Sequence, residues 1–138
     1  EAKLYPLNLA GAEPMALKVN GFTEAEWAPD KCMDRMLLAN RISGIAYNTI
    51  LVGHNVSFDE NFVRVFLKSC GLDVPWHYHK VDTMTLAWPL FQARKIDYFN
   101  LDTLCSYFKI PRTQHRALAD ANACRMAYLE LMKILLPV

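Results

Sequence analysis

Residues 49–71 have the sequence TILVGHNVSFDENFVRVFLKSCG, and this stretch decides the fold. Its first four residues, 49–52, are apolar or β-branched and end at Gly53, which predicts a short buried strand in a sheet covered on both faces. A helix is expected to follow, and Gly71 is a typical C-terminal stop. Its apolar stripe would consist of Phe58, Phe62, Val65 and Phe66, with Ser69 in the same phase. The stretch therefore predicts a strand, a tight loop and a helix.

Upstream, the first twenty residues contain turn-forming prolines and glycines and are expected to form a short extended piece and a loop. Residues 23–26, Thr-Glu-Ala-Glu, match a capping box, so a helix is expected to start there. Pro29 is expected to break or restart that helix. Helical spacing then continues to about Ala46 through Met33, Leu37, Leu38, Ile42 and Ile45.

Downstream, residues 77–81 are expected to form a second strand. Asp82 would cap a helix that reaches about Phe91, and Asn100 would cap another. The last helix has the clearest pattern, with apolar residues at Ala117, Ala121, Cys124, Tyr128, Leu131 and Leu135. Alternating strands and helices over 138 residues predict a single α/β layered domain.

Composition favours a soluble, intracellular and cytoplasmic protein. The chain is 53% hydrophobic, enough for a core without disulfide or metal support. No apolar run approaches the roughly 20 residues that span a bilayer, so no membrane segment is expected. The net charge of +1 gives no long-range field for duplex nucleic acid, so any such contact would be local. The cysteines form no C-x-x-C pair and are expected to be reduced thiols; they are Cys32, Cys70, Cys105 and Cys124.

Asp59 is a candidate metal ligand at the start of the helix that follows the first strand. It lies one position after Phe58, which turns its carboxylate about 100° away from the apolar stripe. The carboxylate would then lie beside the C-terminal end of the strand, where open α/β sheets bind ligands. The helix dipole would keep it ionised, as a hard cation such as Mg²⁺ requires. Alternatively, Asp59 only stabilises the first helical turn.

His115 and Asp120 form the second candidate pair, in the run HRALADA. The two side chains converge if His115 lies in the loop before the last helix and Asp120 in its first turns. Asp120 adjoins the apolar stripe of that helix, where a charge needs a partner. A metal ion is one possible partner, and Arg116 or Arg125 is the other.

Taken together, G-H-N-x-x-F-D, V-D-T and H-R-A-L-x-D-A, in this order, resemble the DnaQ-like 3′–5′ exonucleases of the DEDD class, in the histidine subclass. The resemblance extends from about Ala16 to Leu131. It implies a ribonuclease H-like fold, a mixed sheet flanked by helices. It also implies two Mg²⁺ or Mn²⁺ ions, held by four carboxylates, that hydrolyse the 3′-terminal phosphodiester of single-stranded DNA or RNA.

The resemblance assigns a role to each candidate residue. Asp59 and Asp120 would be two of the four metal-binding carboxylates, and His115 would be the general base. Asn55 and Phe58 would shape the loop beside the 3′-terminal nucleotide. Asp82, in V-D-T, would be structural.

One family motif is missing. The other two carboxylates come from an Asp-x-Glu on the family's opening strand, and the sequence contains no Asp-x-Glu. Glu13 and Glu24 lie in segments that resemble a later part of the family, so neither replaces it. The domain, residues 1–138, is therefore expected to be incomplete at its N-terminus, without its opening strands, and inactive alone. An upstream segment or a second polypeptide would complete the sheet and the metal site.

Two other interpretations stay open. In the first, the chain is a non-catalytic module that keeps the exonuclease fold to bind nucleic acid or a protein. In the other, all three candidate residues are structural and the resemblance is accidental.

Overall fold

The structure, a computed structural model, describes residues 2–6, 8–112 and 116–136. Helices and strands alternate, as predicted for an α/β domain. Their order is α1 (Pro14–Val19), α2 (Arg35–Ala46), β1 (Leu51–Gly53), α3 (Val56–Ser69), β2 (Lys80–Asp82), α4 (Thr83–Leu86), α5 (Trp88–Gln92), α6 (Leu101–Phe108) and α7 (Ala117–Leu135). Within the residues described, no helix has both the length and the apolar character needed to cross a membrane.

In the described part of the chain, β1 and β2 form a two-stranded parallel sheet with Val52 opposite Val81. α3 connects the two strands, because parallel neighbours need a long crossover. The predicted strand, loop and helix are confirmed, although both strands begin later than expected. The predicted burial of β1 on both faces is wrong. Val52 is 45% exposed because it lines an open cavity instead of packing beneath a helix.

Two hydrophobic clusters flank the sheet. The first joins α5, α6 and α7 around residues that include Leu90, Leu104 and Leu131. The second joins α2 and α3 around Leu67 and Trp76. The cavity lined by Val52 lies between them, since its wall contains members of both clusters.

Most of the predicted apolar stripe of α3 faces solvent, contrary to expectation, and only Phe66 packs against the second hydrophobic cluster. Phe58, Phe62 and Val65 are 58%, 65% and 68% exposed. The buried face instead carries Val56, Glu60 and Leu67. Helical periodicity points to the wrong face because α3 has two apolar stripes and the buried one is interrupted by a charged residue. Glu60 is accommodated there because Arg64, Lys80 and Trp76 all donate hydrogen bonds to its carboxylate.

The helix predicted from the capping box at residues 23–26 does not form. The Thr23 hydroxyl does accept a hydrogen bond from the Glu26 amide, at 3.1 Å, but the chain only turns there. Ala28 is extended, with ψ 144°, because it precedes Pro29. A short helix forms earlier, where a loop was expected: α1 begins at Pro14, whose fixed φ suits the first helical position.

The helix caps predicted at Asp82 and Asn100 are confirmed. Asp82 accepts a hydrogen bond from the Met84 amide at 2.9 Å, and Asn100 accepts one from the Thr103 amide at 2.8 Å. The helix expected from Asp82 to Phe91 is divided into α4 and α5. Pro89 lies at the division, where its missing N–H is tolerated in the first turn of α5.

Candidate active site

A cavity of about 770 Å³ opens between α2, α3, β1 and α7. Its wall is mainly apolar and includes Leu51, Val63 and Tyr128. The two candidate carboxylates, Asp59 and Asp120, both line it. Asp59 comes from α3 and Asp120 from α7, so two helices bring these carboxylates to the same cavity. Their joint action on a metal ion stays a prediction.

The loop between β1 and α3 is fixed by the Asp82 carboxylate. One oxygen accepts from the amide of Asn55 at 3.0 Å and from that of Met84 at 2.9 Å, and the other accepts from the Val56 amide at 3.0 Å. One side chain thus binds free amides at the N-termini of both α3 and α4. The structural role expected for Asp82 has a direct basis in these contacts, since they set where α3 begins.

Asn55 and Gly53 allow the loop to turn this tightly. Asn55 has a left-handed backbone, with φ 60° and ψ 48°, which asparagine adopts more readily than most residues. A Cβ on Gly53 would lie 2.9 Å from the Cβ of Val56, so only glycine fits there. The Asn55 contact seen here is made by its backbone amide. A side-chain contact with a nucleotide stays a prediction.

His54 also lines the cavity, although it was not among the candidate site residues predicted from the sequence. Its Nδ1 lies 2.9 Å from the hydroxyl of the fully buried Thr83, and that hydroxyl donates to the Gly53 carbonyl at 3.2 Å. Burial lowers the pKa of His54, although Asp82 opposes this effect. The sequence feature that could have identified His54 is its position immediately after β1, at the edge of the sheet where ligands bind.

Asp59 lies in the first turn of α3. Its pKa is raised, mainly because partial burial disfavours the charged carboxylate; its own backbone amide lowers the pKa and the nearby Asp82 raises it. The carboxylate thus stands beside another negative charge at the cavity wall. This environment favours a cation as its partner.

Asp120 lies in the first turn of α7, and its partner is Arg112. The Nε of Arg112 donates to Asp120 at 2.7 Å, and its guanidinium also donates to Asp102 on α6. The pKa of Arg112 is raised, chiefly by the hydrogen bond to Asp120. The arginines proposed from the sequence were the wrong ones. Arg116 instead lies 4.0 Å from Glu26, and Arg125 lines the cavity.

Phe58 and His115 have different outcomes. Phe58 does not line it; its ring packs against Phe62, with centroids 4.9 Å apart, on the exposed face of α3. His115 lies outside the described residues, so its role as general base stays a prediction.

The carboxylates match only part of a metal site. Two aspartates on one cavity wall are the oxygen ligands that Mg²⁺ and Mn²⁺ prefer. Among the residues that the structure describes, no three His, Cys, Asp or Glu side chains are grouped closely enough to hold a metal ion. Two ions with near-octahedral shells need more ligands than these.

A family model described as "Exonuclease" (RNase_T) matches residues 3–128 of the chain. The chain belongs to this exonuclease family. The family is DnaQ-like and has the ribonuclease H-like fold, so the predicted family and fold class are confirmed. Exonucleases of this family generally use divalent metal ions.

Similar proteins include replication polymerases and their subunits. The chain is 33% identical to the PolC-type DNA polymerase III of Thermotoga petrophila over 94 residues. These residues are 67% of the chain and 6% of that protein. It is 31% identical over 122 residues to the DNA polymerase III subunit epsilon of Buchnera aphidicola, 85% of the chain and 49% of the subunit. It is 27% identical over 118 residues to Protein NEN2 of Arabidopsis thaliana, 85% of the chain and 24% of that protein. The chain thus spans half or less of each of these relatives.

Proposed function

We propose that this exonuclease domain removes nucleotides from the 3′ end of single-stranded DNA or RNA with the help of two divalent metal ions, Mg²⁺ or Mn²⁺. The observation that carries the proposal is the convergence of Asp59 and Asp120 on one cavity at the C-terminal end of β1. These residues are 61 positions apart in sequence, at the starts of different helices. A fold needs no such pair at an apolar cavity, whereas a phosphodiester hydrolase does.

The proposal gives each residue a task. Asp59 and Asp120 hold the metal ions, which supply charge stabilisation for cleavage of the phosphodiester when bound. His115 accepts the proton of the attacking water. Asn55 and Phe58 contact the 3′-terminal nucleotide. Arg112 orients the Asp120 carboxylate by donating to one of its oxygens, which leaves the other free.

We propose that the two missing carboxylates lie on an additional strand of the sheet. In the described residues β1 pairs on one edge only, with β2, so its other edge can accept an extended segment. The cavity beside that edge is lined by apolar side chains, as a buried strand requires. We propose that an upstream segment or a second polypeptide provides this strand, that the domain of residues 1–138 is otherwise a single unit, and that the protein acts in the cytoplasm.

Nucleotide release tests this function. A 5′-labelled oligonucleotide is incubated with the protein expressed from its complete gene, with Mg²⁺ or Mn²⁺, and the products are resolved by length. We expect stepwise shortening from the 3′ end, reduced by about 10²-fold or more in Asp59→Asn, Asp120→Asn and His115→Ala. Asp73→Asn, which changes an exposed carboxylate outside the cavity wall, is the matched control. Activity that survives all three substitutions would falsify the proposed site.

A second function is favoured by one observation. Asp120 already has a charged partner in Arg112, as expected if the fold were kept only to bind nucleic acid or a protein. Calorimetric titration with Mn²⁺ separates the two functions. The exonuclease proposal expects binding that Asp59→Asn abolishes, whereas a binding module takes up no Mn²⁺ at this cavity.

A further inference from the structure

Three aromatic rings pack together at the junction of α5 and α6. Phe91 and Phe99 have centroids 4.6 Å apart, and Trp88 lies parallel to Phe99, at 5.8 Å with an interplanar angle of 4°. Phe91 and Phe99 are partly buried against the first hydrophobic cluster. Trp88 is nevertheless 54% exposed, and the neighbouring Tyr98 is 67% exposed. We call these four residues the aromatic surface, in which the exposed Trp88 packs on the partly buried Phe91 and Phe99.

The aromatic surface adjoins the cavity. Phe99 stands two residues before Leu101, which lines the cavity at the start of α6. The Phe99 backbone carbonyl also lies close enough to the His54 imidazole to favour its protonated form, and His54 is another wall residue. A strand whose 3′ end lies beside the cavity would therefore run towards the aromatic surface.

The loop that connects α5 to α6 adds positive charge. Arg94 and Lys95 are both exposed on this loop, between Phe91 and Phe99. The loop is held by hydrogen bonds from the Arg94 amide to the Phe91 carbonyl and from the Lys95 amide to the Leu90 carbonyl, both 2.9 Å. Across residues 2–6, 8–112 and 116–136, neither cation forms an ion pair. Their charges are available to an anionic partner.

We propose that the aromatic surface, with Arg94 and Lys95, binds the single-stranded nucleic acid on the 5′ side of the 3′-terminal nucleotide. Bases stack on Trp88 and Tyr98, and the two cations contact the phosphates between them. Exposed rings interleaved with unpaired cations match a strand that alternates flat bases with phosphates, in DNA and RNA alike. This inference rests on the proposed exonuclease function and extends its substrate contact beyond the terminal nucleotide.

Binding of short and long strands tests the aromatic contact. Fluorescence anisotropy is measured for 5′-labelled DNA and RNA of three and twelve nucleotides, with a chelator present so that nothing is cleaved. Trp88→Ala should weaken binding of the twelve-nucleotide strand about 10-fold and leave the three-nucleotide strand within about twofold. Trp88→Phe should retain most of the affinity. Tyr78→Ala, a 78% exposed tyrosine beside the first residue of β2, should change nothing.

Salt dependence tests the cations. The double substitution Arg94→Gln with Lys95→Gln should reduce the slope of log affinity against log salt by about 1.4 for the long strand, roughly 0.7 for each lost phosphate contact.

Equal affinity of wild type and Trp88→Ala for both lengths would overturn the inference, as would an unchanged slope. Loss of affinity for both lengths alike, with a lower melting temperature, would overturn it too. If the wild-type protein releases nucleotides but Trp88→Ala binds the long strand normally, only this inference fails. If the wild-type protein neither releases nucleotides nor binds Mn²⁺, the proposed function fails.

Discussion

Glu60 shows how a single residue can redirect a helix. Its carboxylate is only 6% exposed and accepts hydrogen bonds from Lys80, Arg64 and Trp76, the last at 3.2 Å. Sequence periodicity counts a glutamate as a surface residue, so it assigned the buried face of α3 to Phe58 and Phe62. The three donors lie 4, 16 and 20 residues away from Glu60. Only the tertiary structure brings the two distant ones close.

The pH dependence of stability should reveal the Glu60 interactions. Hydrogen bonding, first from Lys80, lowers the pKa of Glu60 to about 2 from 4.5. A lowered carboxyl pKa contributes stability that is complete above about pH 4.5 and is lost as the pH falls towards 2. Glu60→Gln should therefore lower the free energy of unfolding by on the order of 2 kcal/mol near neutral pH and by much less at about pH 3.

Urea unfolding at the two pH values measures this difference. Glu130→Gln is the matched control, because Glu130 pairs with one exposed lysine, Lys133, and should contribute little at either pH. A Glu60→Gln effect that is the same at both pH values would contradict the assigned pKa shift.

At the scale of the element, the start of α3 is determined by Asp82, which lies 26 residues after Val56 in the sequence. Asp82 binds the amides of Asn55 and Val56 through different oxygens and also caps α4. The sequence predicted the α4 cap, because a cap is a local pattern. It could not predict the bonds to α3, since these depend on how β1 and β2 pair.

Asp82→Asn tests whether this one side chain caps both α3 and α4. An asparagine side chain has a single acceptor oxygen, so it cannot accept from both sides as the carboxylate does. We expect the unfolding free energy to fall by about 2 kcal/mol and amide exchange to accelerate at Asn55 and Val56. Asp34→Asn is the control, because Asp34 caps α2 through one bond, from the Leu37 amide at 2.9 Å, and asparagine can replace it. Equal stability losses in the two variants would contradict the double-cap role.

At the scale of the whole molecule, two hydrophobic clusters stand on either side of a cavity that also borders the free edge of β1. The family and the fold class could be predicted because both depend on short motifs in a fixed order, and the same motifs contain Asp59 and Asp120, which line one cavity. The exposed Val52 and the partner of Asp120 could not be predicted. Val52 is exposed because it lines the cavity, and hydrophobic periodicity does not predict a cavity. Arg112 contacts Asp120 from the loop after α6, and local sequence propensity does not determine the path of that loop.

If an added strand fills the cavity in the complete protein, a bulky side chain there should be destabilising. Ala121 lines the cavity on α7, so Ala121→Phe in the protein expressed from its complete gene should lower the unfolding free energy by about 1–3 kcal/mol through overpacking. Asn122→Phe, at the next exposed position on the same helix and outside the wall, should stay within about 0.5 kcal/mol of wild type. Calorimetric melting compares the two. Two equally small effects would mean that the cavity stays open.

The division into two clusters has a thermodynamic consequence for the ions themselves. Asp59 belongs to the half of the molecule built on α2 and α3, and Asp120 to the half built on α6 and α7. Under the proposed function, an ion held by both carboxylates would cross-link the halves, and its binding energy would add to the stability of the fold. Metal concentration would then affect folding as well as catalysis, and a chelator should weaken the contact between the two halves before it unfolds either half.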